Sequence, residues 1–360
     1  MWGRRKTMPP IRVGVIGVGF GATVHIPGFQ SEGVEVVAVC ASREERAQDA
    51  AEKFGIPNAF TDYRELVTHP DVDAVSVVTA PNLHYEMTKA ALEASKHVMC
   101  EKPFTTNAAE AEELLAMANE RGLTHMIAHE FRFAPQRTYA RQLIDEGRIG
   151  EPQHITASLH LRFARRPGAT PPAPSVGSGG MLGALGSHYI DGIRHWFGDI
   201  SRVSATLHGN VPEGFSLADT NNAFSVHMDF ANGAWGTLTC SLNAPLGQGG
   251  SIQIYGTEGS IHLSQSGPNP APEGIVRVGR LEDDSRELRT IPIPEELHPF
   301  DDDRDHRLLP FRLEVQDFVR GIENGESPAP NFHDGLQCQR VLDAIQQSHR
   351  TGAAVDVPTR

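Results

Sequence analysis

Two glycines and their neighbours set the first chemistry that this chain can do. Gly17-Val18-Gly19-Phe20-Gly21-Ala22 follows a Val- and Ile-rich run at 11–16 and precedes a helix-compatible segment. Gly17 can make a sharp turn, Gly19 lets backbone approach phosphate oxygens with no Cβ in the way, and Ala22 is small enough for a helix to pack closely on a strand. Free N–H groups at a helix start favour negative charge, so the stretch suits a dinucleotide pyrophosphate, with Gly17, Gly19, Phe20, Gly21 and Ala22 as its contacts. At the end of the next β-branched run, Val39-Cys40-Ala41-Ser42-Arg43 offers no Asp or Glu before Glu44. An acidic residue there would hold the adenosine ribose hydroxyls and disfavour a 2′-phosphate. Ser42 and Arg43 can instead bond a phosphate; Arg43 can also stack on adenine, or simply start a helix facing solvent. The expected cofactor is NADP or NAD, with NADP preferred.

Other chemistries find less support. Cys40, Cys100, Cys240 and Cys338 are widely spaced and form no metal-ligand pattern, and the 17 histidines give no His-x-His or His-Glu-x-x-His arrangement, so no metal is expected. The thiols read as reduced and mostly buried, in a cytoplasmic protein. A net charge of −13 leaves no basic surplus to neutralise phosphate, which argues against a general nucleic-acid binder. No apolar run approaches membrane-spanning length, and residues 1–10, basic and without an apolar core, read as a disordered leader.

The elements that must position these residues alternate over the first 130 positions. Residues 34–40, 74–79, 96–100 and 124–128 read as strands, and 43–54, 82–95 and 108–121 as helices. Such repetition means a parallel sheet with right-handed crossovers, and a glycine-rich turn after its first strand lies at the carboxyl ends of the strands, where a dinucleotide sits. A chain of 360 residues is long for one core, and beyond Pro135 its character changes. A helix at 136–146 leads into alternating segments at 154–163, 203–208, 222–230, 234–242 and 251–255. Turns at 231–233 and 257–259 separate several of them, Asn232-Gly233 being a hairpin signal. Residues 166–180 read as a long loop, 264–305 as a proline- and acid-rich excursion, and 311–324 and 333–350 as closing helices. The fold class is α/β, an N-terminal Rossmann parallel sheet plus a C-terminal α+β domain with a large, mostly antiparallel sheet. The expected division is 1–10, 11–130 and 131–360.

Three further stretches carry a resemblance. Thr79-Ala80-Pro81-Asn82-Leu83-His84, His97-Val98-Met99-Cys100-Glu101-Lys102-Pro103 and Gly179-Gly180-Met181-Leu182-Gly183-Ala184-Leu185-Gly186-Ser187-His188-Tyr189-Ile190-Asp191 resemble the glucose–fructose oxidoreductase/inositol dehydrogenase/rhizopine-catabolism (Gfo/Idh/MocA) family. The resemblance implies a nicotinamide-dependent oxidoreductase acting on a secondary alcohol of a sugar, polyol or related ring. Such chemistry needs a hydride acceptor, a base for the hydroxyl proton and positive charge near the developing alkoxide. Lys102, at a strand's carboxyl end, can polarise the oxygen and reach the nicotinamide. Glu101 either positions Lys102 and touches the nicotinamide end or is a salt-bridged scaffold carboxylate. His188 is the candidate acid/base, since an imidazole with a pKa of about 6.5 is poised near neutrality. The family often carries Asp where Ala184 stands; Asp191, three residues after His188, either substitutes for it or is structural. Thr79, Pro81, Asn82 and His84 would border the nicotinamide half, His84 serving equally as a helix-start residue. Glu130 and Arg132, with Phe133, follow the sixth strand as substrate contacts, though Arg132 could instead tie the domains together. Arg162, Arg165 and Arg166 read as a solvated run, and Trp196 and Trp235 as core or interface.

The leading function is therefore hydride transfer between NAD(P) and a sugar-like carbinol. The alternatives are an NAD-assisted glycosidase and a cofactor-bound sensor that has lost catalysis. The resemblance also implies a homodimer or homotetramer formed through the open face of the second sheet, to which the alternation over 224–230 and 235–240 is suited.

Overall fold

The computed structural model describes residues 10–161, 177, 179–209, 216–267 and 274–359. The expected leader, apart from Pro10, lies outside the described residues, as do Arg162, Arg165, Arg166 and most of the loop expected over 166–180.

Six strands form the first sheet: β1 (Arg12–Ile16), β2 (Glu35–Cys40), β3 (Asn58–Phe60), β4 (Ala74–Val77), β5 (His97–Glu101) and β6 (His125–Ala128). They lie in the order β3-β2-β1-β4-β5-β6, every pair parallel. The crossovers are α1 (Ile26–Ser31), α2 (Glu44–Phe54), α3 (Tyr63–Thr68), α4 (His84–Glu93) and α5 (Ala108–Glu120). Strand residues alternate between two cores: Val13, Val15 and Val39 pack with α1 and α2, while Ile16, Ala38 and Cys40 pack with α3, α4 and α5. β3 and α3 escape the hydrophobic pattern because three and six residues are too short for periodicity to register. Asp62 starts α3 by accepting from the Arg64 N–H at 2.9 Å.

Beyond β6, a 3₁₀ turn at Glu130–Phe133 leads into α6 (Pro135–Asp145). The second sheet holds nine strands: β7 (Pro152–His160), β8 (Ile200–His208), β9 (Ala223–Phe230), β10 (Trp235–Ser241), β11 (Gly249–Gly256), β12 (Gly259–Gln265), β13 (Ile275–Arg280), β14 (Arg289–Ile291) and β15 (Val355–Asp356). Their order is β14-β13-β12-β11-β7-β10-β9-β8-β15, antiparallel except for β7 beside β10. The Asn232-Gly233 turn joins β9 to β10, with Gly233 at φ +89°. The stretch expected to be an excursion over 264–305 instead contributes β13 and β14 to this sheet.

One face of the second sheet is covered by α7 (Ser187–Phe197) and part of α10 (Phe332–Thr351), with the short α8 (Leu217–Thr220) and α9 (Leu308–Asn324) between them in sequence. Phe224, Val226, Met228, Phe230, Leu238 and Cys240 point into that core. This corrects the expectation that their alternation serves subunit contact: those apolar positions are already used inside the chain. The opposite face carries Trp235 and Tyr255, 44% and 38% exposed, both stacked on His154. Trp196 is buried.

The chain then returns to the first sheet. Leu308, Phe311, Val315 and Phe318 of α9 join the core that holds Phe29 and Met99, and Phe311 packs on His25 at 4.2 Å between ring centroids. The segment 308–324, expected with the second domain, thus packs with the first. α10 serves both: Phe332 and Leu336 enter the first sheet's other core, while Val341, Leu342 and Ile345 enter the second's. No helix among the described residues is long and apolar enough to cross a membrane.

Candidate active site

Because β1, β2, β4 and β5 are parallel, their carboxyl ends bring the expected cofactor residues to one edge. Gly17 has φ +106° and donates its N–H to the Cys40 carbonyl at 2.8 Å, while a Cβ there would stand 2.1 Å from the Val78 carbonyl oxygen. At Gly19 a Cβ would meet nothing within 4 Å, so the backbone borders open space. The following helix opens with a widened, π-type turn, Gly21–His25, which no side chain caps. Gly21 makes the closest approach to β1, 3.2 Å from a Val15 methyl to the position of a Cβ, and Phe20 and Ala22 pack partly against the same core. An uncapped helix start beside an open glycine fits a bound dinucleotide, whose phosphates the N–H groups of this turn would hold. Ser42 and Arg43 lie exposed just beyond β2. Thr79 is half-buried, and Pro81 and Asn82 lie in a 3₁₀ turn after β4.

His84 sits differently. It is buried, with Nδ1 at 2.9 Å from the Pro103 carbonyl and Nε2 at 3.1 Å from that of Thr79. It ties the exit of β4 to the exit of β5, which is the structural reading left open by the sequence.

Glu101 ends β5 inside a buried chain of polar groups. His25 Nδ1 lies 2.8 Å from Ser76 Oγ, His25 Nε2 lies 3.0 Å from Glu101 Oε1, and Glu101 Oε2 accepts the Lys102 backbone N–H at 3.0 Å. Burial pushes this carboxyl up, but the His25 bond and the Lys102 charge outweigh it and hold it below the usual range. His25 was not foreseen. Its only sequence signal is a histidine on the apolar side of the first helix, and its partner lies 76 residues away. The half-buried Lys102 side chain crosses to the second domain, where Nζ donates to the Ala184 carbonyl at 3.1 Å. Ala184 lies in a second π-type turn, Leu182–Gly186, which opens into α7.

His188, in the first turn of α7, is buried and stacked on Phe131, with centroids 3.9 Å apart and ring planes 11° from parallel. Its Nε2 is 3.7 Å from Glu130 Oε2, and its Nδ1 has no hydrogen-bond partner. Burial, then the charges of Lys102, His129 and Arg137, keep the imidazole neutral by lowering its pKa well below the ordinary value. Glu130 is also buried and its Oε2 lacks a partner; burial and the Glu101 charge, against the pull of Lys102, push it up to about 8.

Asp191 does not orient His188, which corrects the expected catalytic part for it. Arg132 claims both its oxygens, Nε donating to Oδ2 and Nη2 to Oδ1, each at 2.6 Å. Arg132 Nη2 also donates to Asp334 Oδ1 at 3.0 Å, at the start of α10. Burial opposes ionisation of Asp191, yet Arg132 and His129 hold its pKa at about 2. Arg132 thereby ties the turn after β6 to α7 and to the start of α10. Two more buried charges-in-waiting lie nearby. Glu314 of α9 has no partner on either oxygen, and burial with the Glu130 and Glu101 charges raises it well above its ordinary value. The Arg137 guanidinium, unpartnered by hydrogen bonds, lies over the Phe131 and Tyr189 rings at 5.0 and 4.7 Å.

The structure thus gathers Lys102, His188, Glu130 and Glu101 at one junction, sets the glycine turn, Thr79, Pro81 and Asn82 along the edge that leads to it, and leaves His84, Arg132 and Asp191 as ties behind it. All four cysteines are buried and free.

Comparison with known proteins agrees with this architecture. Residues 11–129 match the oxidoreductase family with an NAD-binding Rossmann fold, and residues 141–357 match that family's C-terminal alpha/beta domain. Levoglucosan dehydrogenase of Pseudarthrobacter phenanthrenivorans is 30% identical over 98% of this chain and 99% of its own. D-xylose 1-dehydrogenase (NADP(+)) 2 of Haloferax volcanii is 28% identical over 96% of this chain and 99% of its own. The solved structure of levoglucosan dehydrogenase in complex with NADH and L-sorbose superposes with a TM-score of 0.86 at 28% identity, covering 98% of this chain and all of that one. The chain belongs to the Gfo/Idh/MocA oxidoreductase family.

Proposed function

We propose that this NAD-binding oxidoreductase moves hydride between a nicotinamide and the secondary carbinol or carbonyl carbon of a sugar, polyol or related ring. The observation that carries the reading is the reach of Lys102 to the Ala184 carbonyl, in the turn that opens α7, where its charge acts on His188. The nicotinamide, when bound, supplies or accepts the hydride. Lys102 presents positive charge to the substrate oxygen, where alkoxide character develops. His188, held neutral, takes the hydroxyl proton on Nε2 in oxidation and returns it in reduction. Glu101 fixes the strand exit through the Lys102 N–H, with His25 and Ser76 behind it.

Ser42 and Arg43, exposed beyond β2 without an acidic neighbour before Glu44, favour NADP over NAD. One relative is named for NADP and another has been solved with NADH, so both cofactors occur among the relatives. Association into homodimers or homotetramers through the open face of the second sheet is supported by Trp235 and Tyr255, exposed there beside His154. The glycosidase and sensor alternatives gain no observation of their own.

The test is fluorescence titration of the purified protein with NADH and NADPH, followed by turnover on a panel of sugars and polyols. Both dinucleotides are expected to bind, NADPH more tightly. Lys102→Met is expected to lose about 10²–10³-fold in turnover while retaining dinucleotide binding. Absence of binding by either dinucleotide would overturn the reading.

A further inference from the structure

Glu130, in the turn after β6, and His188, in the first turn of α7, meet at the site, and each carries a buried atom with no hydrogen-bond partner, Oε2 of the one and Nδ1 of the other. Glu130 Oε2 has no hydrogen-bond partner, and His188 Nε2 stands 3.7 Å away. Both residues are buried, each only 3% exposed. Position 184, one turn before His188, offers only a methyl group, and Asp191 is engaged by Arg132. Glu130 is therefore the carboxyl that His188 can exchange a proton with.

We propose that Glu130 and His188 hold one exchangeable proton between them, that Glu130 keeps it at neutral pH, and that the site is thereby loaded for carbonyl reduction. This rests on the hydride-transfer reading above. In reduction, the hydride and its electron pair pass from reduced nicotinamide to the carbonyl carbon. The Glu130 O–H bond breaks as its proton moves to His188 Nε2, and the proton moves on from Nε2 to the carbonyl oxygen, forming the hydroxyl. Glu130 is left as a carboxylate beside the Lys102 ammonium, and the nicotinamide is left oxidised. Oxidation runs the same steps backwards and needs Glu130 ionised at the outset.

The surroundings decide which partner keeps the proton. Facing Glu130 are Glu101 and Lys102 at the end of β5, His188 on α7, Arg137 on α6, Arg307 before α9 and Glu314 within it. Burial and the Glu101 charge oppose ionisation of Glu130, while Lys102 and Arg307 favour it, and the balance leaves its pKa raised to about 8. Burial, with the charges of Lys102, His129 and Arg137, lowers the His188 pKa and keeps it unprotonated. A neutral carboxylic acid facing a neutral imidazole is the outcome.

The test is infrared spectroscopy of the full-length protein in the carboxylic-acid carbonyl region from about pH 5 to about pH 10, for wild type, Glu130→Gln and Glu130→Asp. Wild type is expected to lose one protonated-carboxyl band as pH rises through about 8. Glu130→Gln should lack that band, and Glu130→Asp should restore a titrating one. With NADPH and a carbonyl substrate, wild-type reduction should decline above that pH, whereas Glu130→Gln should be about 10²-fold slower with an unchanged KM and no decline. A wild type without a carboxyl titrating between about pH 6 and about pH 9 would overturn the proposal, as would persistence of the same band in Glu130→Gln. The infrared titration needs no turnover, so a failure of hydride transfer itself would be read separately, from the absence of dinucleotide binding.

Discussion

A single arginine decides what several acidic residues near the site can do. Arg132 has its side chain buried, and its two short bonds to Asp191 and its third to Asp334 leave neither of those carboxylates free to orient His188. Removing one partner of such a buried pair strands the other charge, so Asp191→Asn is expected to lower folding stability by about 3–5 kcal/mol. Urea denaturation followed by tryptophan fluorescence measures this, and a loss under about 1 kcal/mol, as for a surface pair, would sink the assignment. The sequence made Asp191 visible, since three residues separate it from His188 on one helix. Its true partner lies 59 residues away in sequence, and helical spacing carries no information about a competitor from another element. His25 and Glu314 were illegible for the same reason: a buried polar residue declares itself only through the partner, or lack of one, that tertiary packing gives it. Lys102, Glu101, Glu130 and His188 could be read because each sits in a motif or just beyond a strand, where chain order and spatial order coincide.

At the scale of elements, the two glycines of the opening turn separate into different duties. A side chain at Gly17 would collide with the Val78 carbonyl and force a residue into φ +106°, whereas one at Gly19 would project into open space. Gly17→Ala should therefore lower the melting temperature and abolish nicotinamide binding together. Gly19→Ala should melt within a few degrees of wild type while binding NADH at least about tenfold more weakly, because its methyl occupies the path of the phosphates. Differential scanning fluorimetry with and without NADH distinguishes the two; equal behaviour of the variants would contradict the assignment. Strands, crossovers and the Asn232-Gly233 hairpin were legible through β-branched runs and turn residues. Three features were not. The short β3 and β14 fall below the length at which alternation shows. β13 was hidden by the prolines and acids around it. The π-type turns that open both site helices, Gly21–His25 and Leu182–Gly186, follow from tertiary contacts, and Lys102 holding the Ala184 carbonyl is one of them.

The whole molecule carries a set of neutral histidines that links its stability to pH. Burial lowers the pKa of His84, His125, His129, His188 and His195, taking His125 and His195 to about 4. In the unfolded chain these groups take up protons below about pH 6.5, while in the folded chain they stay neutral until the pH is much lower. The unfolded state then binds more protons, so stability falls as pH drops through that window, by up to about 1.4 kcal/mol per pH unit for each group. Glu130 acts oppositely: with its folded pKa raised to about 8, the stability it contributes declines as pH rises from about 4.3 towards 8. The urea midpoint of wild type should be clearly lower at about pH 5.5 than at about pH 7.5, and a flat profile would refute the neutral-histidine assignment.

The return of α9 to the first sheet has a consequence for how the chain is made. During synthesis, residues 11–130 leave the ribosome long before 308–324, the helix that closes over Phe29 and His25. At roughly 5–20 residues per second, the nucleotide-binding sheet waits on the order of ten to forty seconds with that apolar flank uncovered. Folding N-terminal domain first is denied to it, and the second sheet assembles as an insertion within a half-finished partner. A gene fragment ending after β6 should accordingly yield insoluble protein, and co-expressing the 308–324 segment in trans should recover part of it.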